Sequence, residues 1–156
     1  MARVSICYLT KYGNNRIAME RLKGRLVEYG HEVKLFSITD IKPEQIPESD
    51  LYVFSTSVHM GKPPRKMRSF IKRFKCQAGG SRYALIVTHA SEPSGEKWSP
   101  TRTVGMMHEM LKDKGMLPLT QELLIRVKDI KGPLEDDYQK KIDALSGTIV
   151  NLLPQS

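Results

Sequence analysis

The sequence predicts an α/β domain built on a five-stranded parallel sheet with helices on both faces. Three observations carry this. Apolar runs of strand length alternate along the chain with stretches of helical periodicity, the pattern that winds into a parallel sheet with right-handed crossovers. The first run, residues 4–9, is apolar at nearly every position, as a strand buried on both faces must be. Glycine or proline punctuates most of the predicted element ends.

The elements follow in order. Val4, Ile6, Cys7, Tyr8 and Leu9 form the first strand, and a helix begins near Arg16. Its expected apolar stripe is Ile17, Leu22, Leu26 and Val27, closed by Gly30 as a C-terminal cap. Residues 32–37 alternate at Val33, Leu35 and Phe36, which suits a half-buried strand near a sheet edge. Pro43 and Pro47 leave room for about one helical turn before the third strand, residues 51–55. Pro63 and Pro64 suit the start of a helix over 65–75 that buries Met67, Phe70, Ile71 and Phe74 and carries six basic residues elsewhere. Gly79 and Gly80 precede a fourth strand over 83–87. A helix over 100–114 follows, with Val104, Met107, His108 and Leu111 on one stripe and Gly115 past its end. Residues 116–127 read as a fifth strand. The last helix is expected to open at Pro133 with Glu135, Asp136 and Asp137 in its first turn, where the helix dipole favours acids.

The 156 residues are expected to form one domain spanning 1–156. No apolar run approaches membrane-spanning length, and the chain enters its first strand with no signal-peptide pattern, so a soluble, cytoplasmic protein is expected. Cys7 and Cys76 lack the close spacing of a redox or zinc motif, and Cys7 reads as a small core residue. Twenty-five basic residues against 17 acidic ones give a formal net charge of +8. That excess points to an anionic cofactor, substrate, partner protein or membrane surface.

Three loops stand out from the ordinary connections. The first is Thr10-Lys11-Tyr12-Gly13-Asn14-Asn15, a strand-to-helix turn rich in hydroxyl, amide and glycine groups. A helix start offers unpaired N–H groups and the positive end of its dipole, and Gly13 lets the backbone close around an anion, so a phosphate site is one reading. An ordinary polar turn with Asn14 or Asn15 as N-cap is the other. The second loop is Ser55-Thr56-Ser57-Val58-His59-Met60-Gly61-Lys62, and the third runs from His89 through Ala90, Ser91, Glu92 and Gly95 to Trp98. His59 and His89 end adjacent strands, but no carboxylate or cysteine spacing completes a metal site with them.

In an open parallel sheet, ligands bind beyond the carboxyl ends of the strands where the strand order reverses. With loops after strands 1, 3 and 4 elaborated and Thr10-x-x-Gly13 placed after strand 1, the sequence resembles the flavodoxin family across nearly its whole length. Tyr12 and Asn15 stand where that family's phosphate loop carries hydroxyl residues, and a phenol or amide donates as well. The resemblance implies a three-layer α/β/α sandwich with strand order 2-1-3-4-5 and FMN as cofactor. It puts the FMN phosphate among Thr10, Lys11, Tyr12, Gly13, Asn14 and Asn15. It lays Thr56 to Gly61 along one side of the flavin ring and His89 to Gly95 along the other. Trp98 either stacks on the ring or anchors its loop against the following helix. Ser57 to Lys62, followed by a basic helix, is locally similar to the menaquinone-dependent protoporphyrinogen dehydrogenases.

These features imply an FMN-binding redox protein, carrier or oxidoreductase, that exchanges electrons with an acidic redox protein or a small quinone- or porphyrinogen-like molecule, with peripheral membrane contact one route to a quinone. The competing reading is a flavin-free binding module whose basic face, residues 65–75, engages an acidic partner. Nucleic acid is the weaker partner, since no recognition motif is present and few aromatics interleave with the basic residues.

Overall fold

The computed structural model describes residues 1–76, 80–90, 100–129 and 131–153. In chain order these form β1 (Arg3–Tyr8), α1 (Asn14–Glu28), β2 (Glu32–Ser37), a 3-10 turn (Pro43–Gln45), β3 (Leu51–Ser57), α2 (Arg65–Arg73), β4 (Arg82–Ala90), α3 (Pro100–Asp113), β5 (Leu117–Pro118), β6 (Leu123–Val127) and α4 (Tyr138–Leu152). The strands pair in parallel in the order β2-β1-β3-β4-β5, and β6 also lies against β4. The expected order 2-1-3-4-5 is therefore the observed one.

Because side chains alternate across a strand, each central strand feeds two cores. Val4, Ile6, Leu51, Val53, Ala84 and Ile86 face α1 and α4, where they meet Met19, Leu22, Leu26, Ile142 and Ile149. Cys7, Tyr52, Phe54, Leu85 and Val87 face α2 and α3, where they meet Met67, Ile71, Met107 and Leu111. Phe74 anchors the second core with edge-on contacts to Tyr52 and Phe54 at centroid distances of 5.1 and 5.5 Å. Cys7 is fully buried there, and burial pushes its thiol far above the ordinary value, so it packs as a small hydrophobe.

Several local expectations change. On α1 only Leu22 and Leu26 of the expected stripe are buried. Ile17 and Val27 are about half exposed, and Ala18, Met19 and Asn15 complete the inner face. α4 does not open at Pro133. That proline follows a cis peptide in a loop, Val127 and Leu134 form an antiparallel bridge, and the helix starts at Tyr138 with Asp137 as N-cap. Glu135 and Asp136 thus lie ahead of the first turn, where Lys141 and Lys128 take up their charges.

The expected fifth strand is two segments. Pro118 pairs with Tyr83 and Leu123 with Ile86, so five steps along the last strand match three along β4 and two residues loop out. The Leu117 and Leu119 amides donate to the Ser81 and Tyr83 carbonyls on either side of Pro118, so the ladder does not use the N–H that proline lacks. The excursion has a use. It aims Glu122 at His108 on α3, whose Nε2 lies 3.0 Å from the carboxylate while its Nδ1 lies 2.5 Å from the Tyr83 hydroxyl. A carboxylate only accepts, so Nε2 carries the proton, and in the neutral ring Nδ1 accepts from Tyr83. Burial, with the Glu122 charge adding to it, pushes the Tyr83 phenol up to about 12.

Candidate functional site

Parallel registry sets the site. Tyr8 pairs with Ser55, Ser57 with Thr88, and Ala90 with Val127, so β1, β3, β4 and β6 end along one rim of the sheet. The loops that leave them share that rim.

The loop after β1 enters α1 through Gly13, whose φ of 90° is left-handed. A Cβ at Gly13 would meet nothing within 4 Å, so glycine is needed here for its backbone angle rather than for space. Thr10 Oγ1 accepts the Gly13 N–H at 2.9 Å and closes the turn. No side chain caps α1, so neither asparagine is the N-cap. The first intrahelical bond runs from Ile17 N–H to Gly13 C=O, which leaves the amides of Asn14, Asn15 and Arg16 ahead of the ladder. Lys11 and Tyr12 are exposed, with the Lys11 ammonium 5.4 Å from the Tyr12 ring centre. Asn15 turns inward instead. It is buried, and its side-chain amide donates to the Leu9 carbonyl at 2.6 Å, tying the helix start to the strand end.

The loop after β3 is tighter than the sequence suggests. β3 runs on to Ser57, so Thr56 is a buried strand residue whose hydroxyl donates to the Ser57 carbonyl. His59 and Lys62 then exchange backbone hydrogen bonds of 2.7 and 3.1 Å around Met60 and Gly61, both with positive φ (53° and 79°). Two left-handed central residues make a type I′ turn. Gly61 suits it; Met60 carries the strain usual for a non-glycine residue there. Met60 is half exposed and His59 exposed at the tip, Ser57, Val58 and Lys62 are half-buried, and Gly61 is buried.

β4 likewise extends to Ala90, so His89 and Ala90 end a strand rather than begin a loop. Both are half-buried, and His89 Nδ1 is sealed from solvent with no partner among the described residues. Ser91, Glu92, Gly95 and Trp98 lie outside the described residues.

A fourth loop joins the rim. The Asn14 side-chain amide donates to the Lys131 carbonyl at 3.4 Å, and a Cβ on Gly132 would fall 2.8 Å from Asn14 Oδ1. Gly132, at φ 118°, is thus demanded both by its backbone and by the loop it touches. Its signal in the sequence is Lys131-Gly132-Pro133 following an apolar strand, but a proline in that place reads equally well as a helix start.

The Flavodoxin family model matches residues 6–140. The chain belongs to the flavodoxin family. Flavodoxins bind FMN and transfer electrons to redox partners, and this chain is an FMN-binding electron-transfer protein. Its fold agrees with those of solved flavodoxins. An oxidised flavodoxin from Bacillus cereus superposes with a TM-score of 0.77 at 17% identity, covering 97% of this chain and 99% of that one. A flavodoxin from Pseudomonas aeruginosa carrying a single cysteine-to-alanine substitution gives 0.74 at 14% identity, covering 97% and 98%. A flavodiiron core from Synechocystis gives 0.71 at 14% identity over 96% of this chain but only 36% of that one. No curated protein matches the sequence.

The residues present suit FMN. Three helix-start amides and the Lys11 ammonium are the donors a phosphate dianion requires, and they lie on the rim where the strand order reverses between β1 and β3. FMN held there would supply the redox chemistry, and the protein would supply binding, orientation and the charge around the ring. No helix among the described residues is long and apolar enough to cross a membrane.

Proposed function

We infer that this flavodoxin exchanges electron pairs, through FMN, with a small quinone- or porphyrinogen-like molecule. The FMN phosphate sits against Thr10, Gly13 and the amides of Asn14, Asn15 and Arg16, with Lys11 and Tyr12 over it. Ser57 to Gly61 flank one side of the ring and His89 and Ala90 the other.

One observation carries the choice of chemistry: the chain leaving the rim after β3 is cationic. Lys62 closes the type I′ turn and Arg65 and Lys66 open α2, whereas β3 and its turn carry no carboxylate from Leu51 to Pro64. Reduced flavin tends toward an anion. Positive charge beside it eases addition of the second electron, one pKa unit of such interaction corresponding to about 1.4 kcal/mol. Donor and acceptor molecules that take electrons in pairs then fit better than low-potential one-electron carriers.

A redox titration of the FMN-loaded protein tests this. A single two-electron step is expected; two well-separated one-electron steps would overturn it. A second reading, an acidic protein as electron partner, is favoured by the exposed cations of α2, and the flavin-free module is set aside by the family assignment.

A further inference from the structure

The basic residues of α2 do not form one uniform face. Arg73 turns toward the 3-10 turn and pairs with Glu44 at 3.2 Å. Arg65, Arg68 and Lys72, spaced i, i+3 and i+7, share a stripe about 10 Å long. This stripe lines a groove of about 460 Å³ between α2 and α3. Lys114 closes its far end and donates to the Lys72 carbonyl at 2.5 Å.

Three features separate this groove from an ordinary solvated basic surface. First, four cations line it against one carboxylate, Asp113, and none of Arg65, Arg68 or Lys72 pairs with a carboxylate among the described residues. Second, Arg68 Nε is sealed from solvent and has no hydrogen-bond partner among the described residues, so part of a guanidinium has lost water and received nothing in exchange. Third, the half-buried Met110, backed by the buried Ile71, supplies an apolar patch between the charges, which lowers the local dielectric and strengthens any anion contact. Its volume is that of a small-molecule site.

We propose that the α2–α3 groove binds a compact, multiply charged oxyanion, a diphosphate or a polycarboxylate, held by Arg65, Arg68 and Lys72. Arg68 is the central contact, because a planar fork of donors suits two oxygens of one anionic group. This site is separate from the phosphate loop, which lies at the start of α1 on the other face of the sheet, and it does not rest on the two-electron reading.

The experiment is calorimetric titration of the FMN-saturated protein with inorganic pyrophosphate and, separately, citrate, at 0.15 M KCl, so that the phosphate loop is already filled and weak surface attraction is screened over about 8 Å. Saturable one-to-one binding of either anion is expected, and whichever binds more tightly names the phosphate or carboxylate source. The double variant R68Q/K72Q is expected to lose at least tenfold in affinity with the FMN absorbance unchanged. K66Q/K75Q, which removes the same charge from the α2 region outside the groove, is expected to lose less than twofold, and D113N to bind more tightly. Absence of saturable binding by both anions, or equal losses in the two double variants, would overturn the proposal.

Discussion

Thr10 Oγ1 and the Gly13 amide lie 2.9 Å apart, and this one bond holds the loop at the start of α1 in the left-handed turn that presents its free amides to the rim. Valine at position 13 would be forced into a conformation costly for a β-branched residue, and the amides would turn away. G13V is therefore expected to weaken FMN at least tenfold while changing riboflavin, which lacks the phosphate, less than twofold. Parallel titrations of the two flavins check this; equal losses would indicate general misfolding.

The Tyr83–His108–Glu122 chain makes a stability prediction far from the rim. Y83F leaves His108 Nδ1 half-buried without its donor and is expected to cost about 1–3 kcal/mol in denaturant unfolding. Removing both polar partners, as in Y83F/H108L, is expected to cost less than the sum of the two single variants. Simple additivity would show that the hydrogen bond contributes nothing.

Arg21 on α1 grips Asp143 on α4 through two hydrogen bonds of 2.9 and 2.8 Å, with Arg25 alongside. The Arg21 hydrogen bonds hold the Asp143 carboxyl below its usual value of 3.8. A carboxylate with a depressed pKa stabilises the fold fully above its unfolded value and loses that contribution as pH falls through the folded one. D143N is thus expected to lower the melting temperature by a few degrees at pH 7, with the gap to wild type closing below about pH 4. A gap that stays constant down to pH 2 would rule out this ion pair as its origin.

If an acidic protein reduces the bound flavin through α2, then R65E/K66E should slow that reduction severalfold at low salt without altering the flavin spectrum. The difference should shrink toward 0.5 M salt, because exposed charges are screened over about 10 Å at 0.1 M. Stopped-flow reduction by an acidic iron–sulfur protein measures it. Wild-type rates indifferent to salt would exclude docking through this face.

Most of the architecture is legible in the sequence because burial on both faces leaves an unmistakable apolar run, as in residues 4–9 and 51–54. The departures have local physical causes. The inner face of α1 is built partly from Ala18, Met19 and a buried Asn15, so hydrophobicity alone favours Ile17 and Val27, which face outward. The looped-out residues after Pro118 carry no distinctive composition; only the pairing with β4 reveals them. At the site, the three rim loops are visible as polar interruptions, but two of them start later than expected because β3 and β4 continue through Ser57 and Ala90. The fourth loop, at Gly132, is hidden because a proline after a glycine serves a turn as well as a helix start.

The most direct test is a titration of the purified, flavin-free protein with FMN, followed by flavin fluorescence and absorbance. One-to-one binding with shifted flavin bands, at least tenfold tighter than for riboflavin, is the expected result. A protein that leaves the FMN spectrum and fluorescence unchanged, or binds riboflavin equally well, would contradict a phosphate seat at the start of α1.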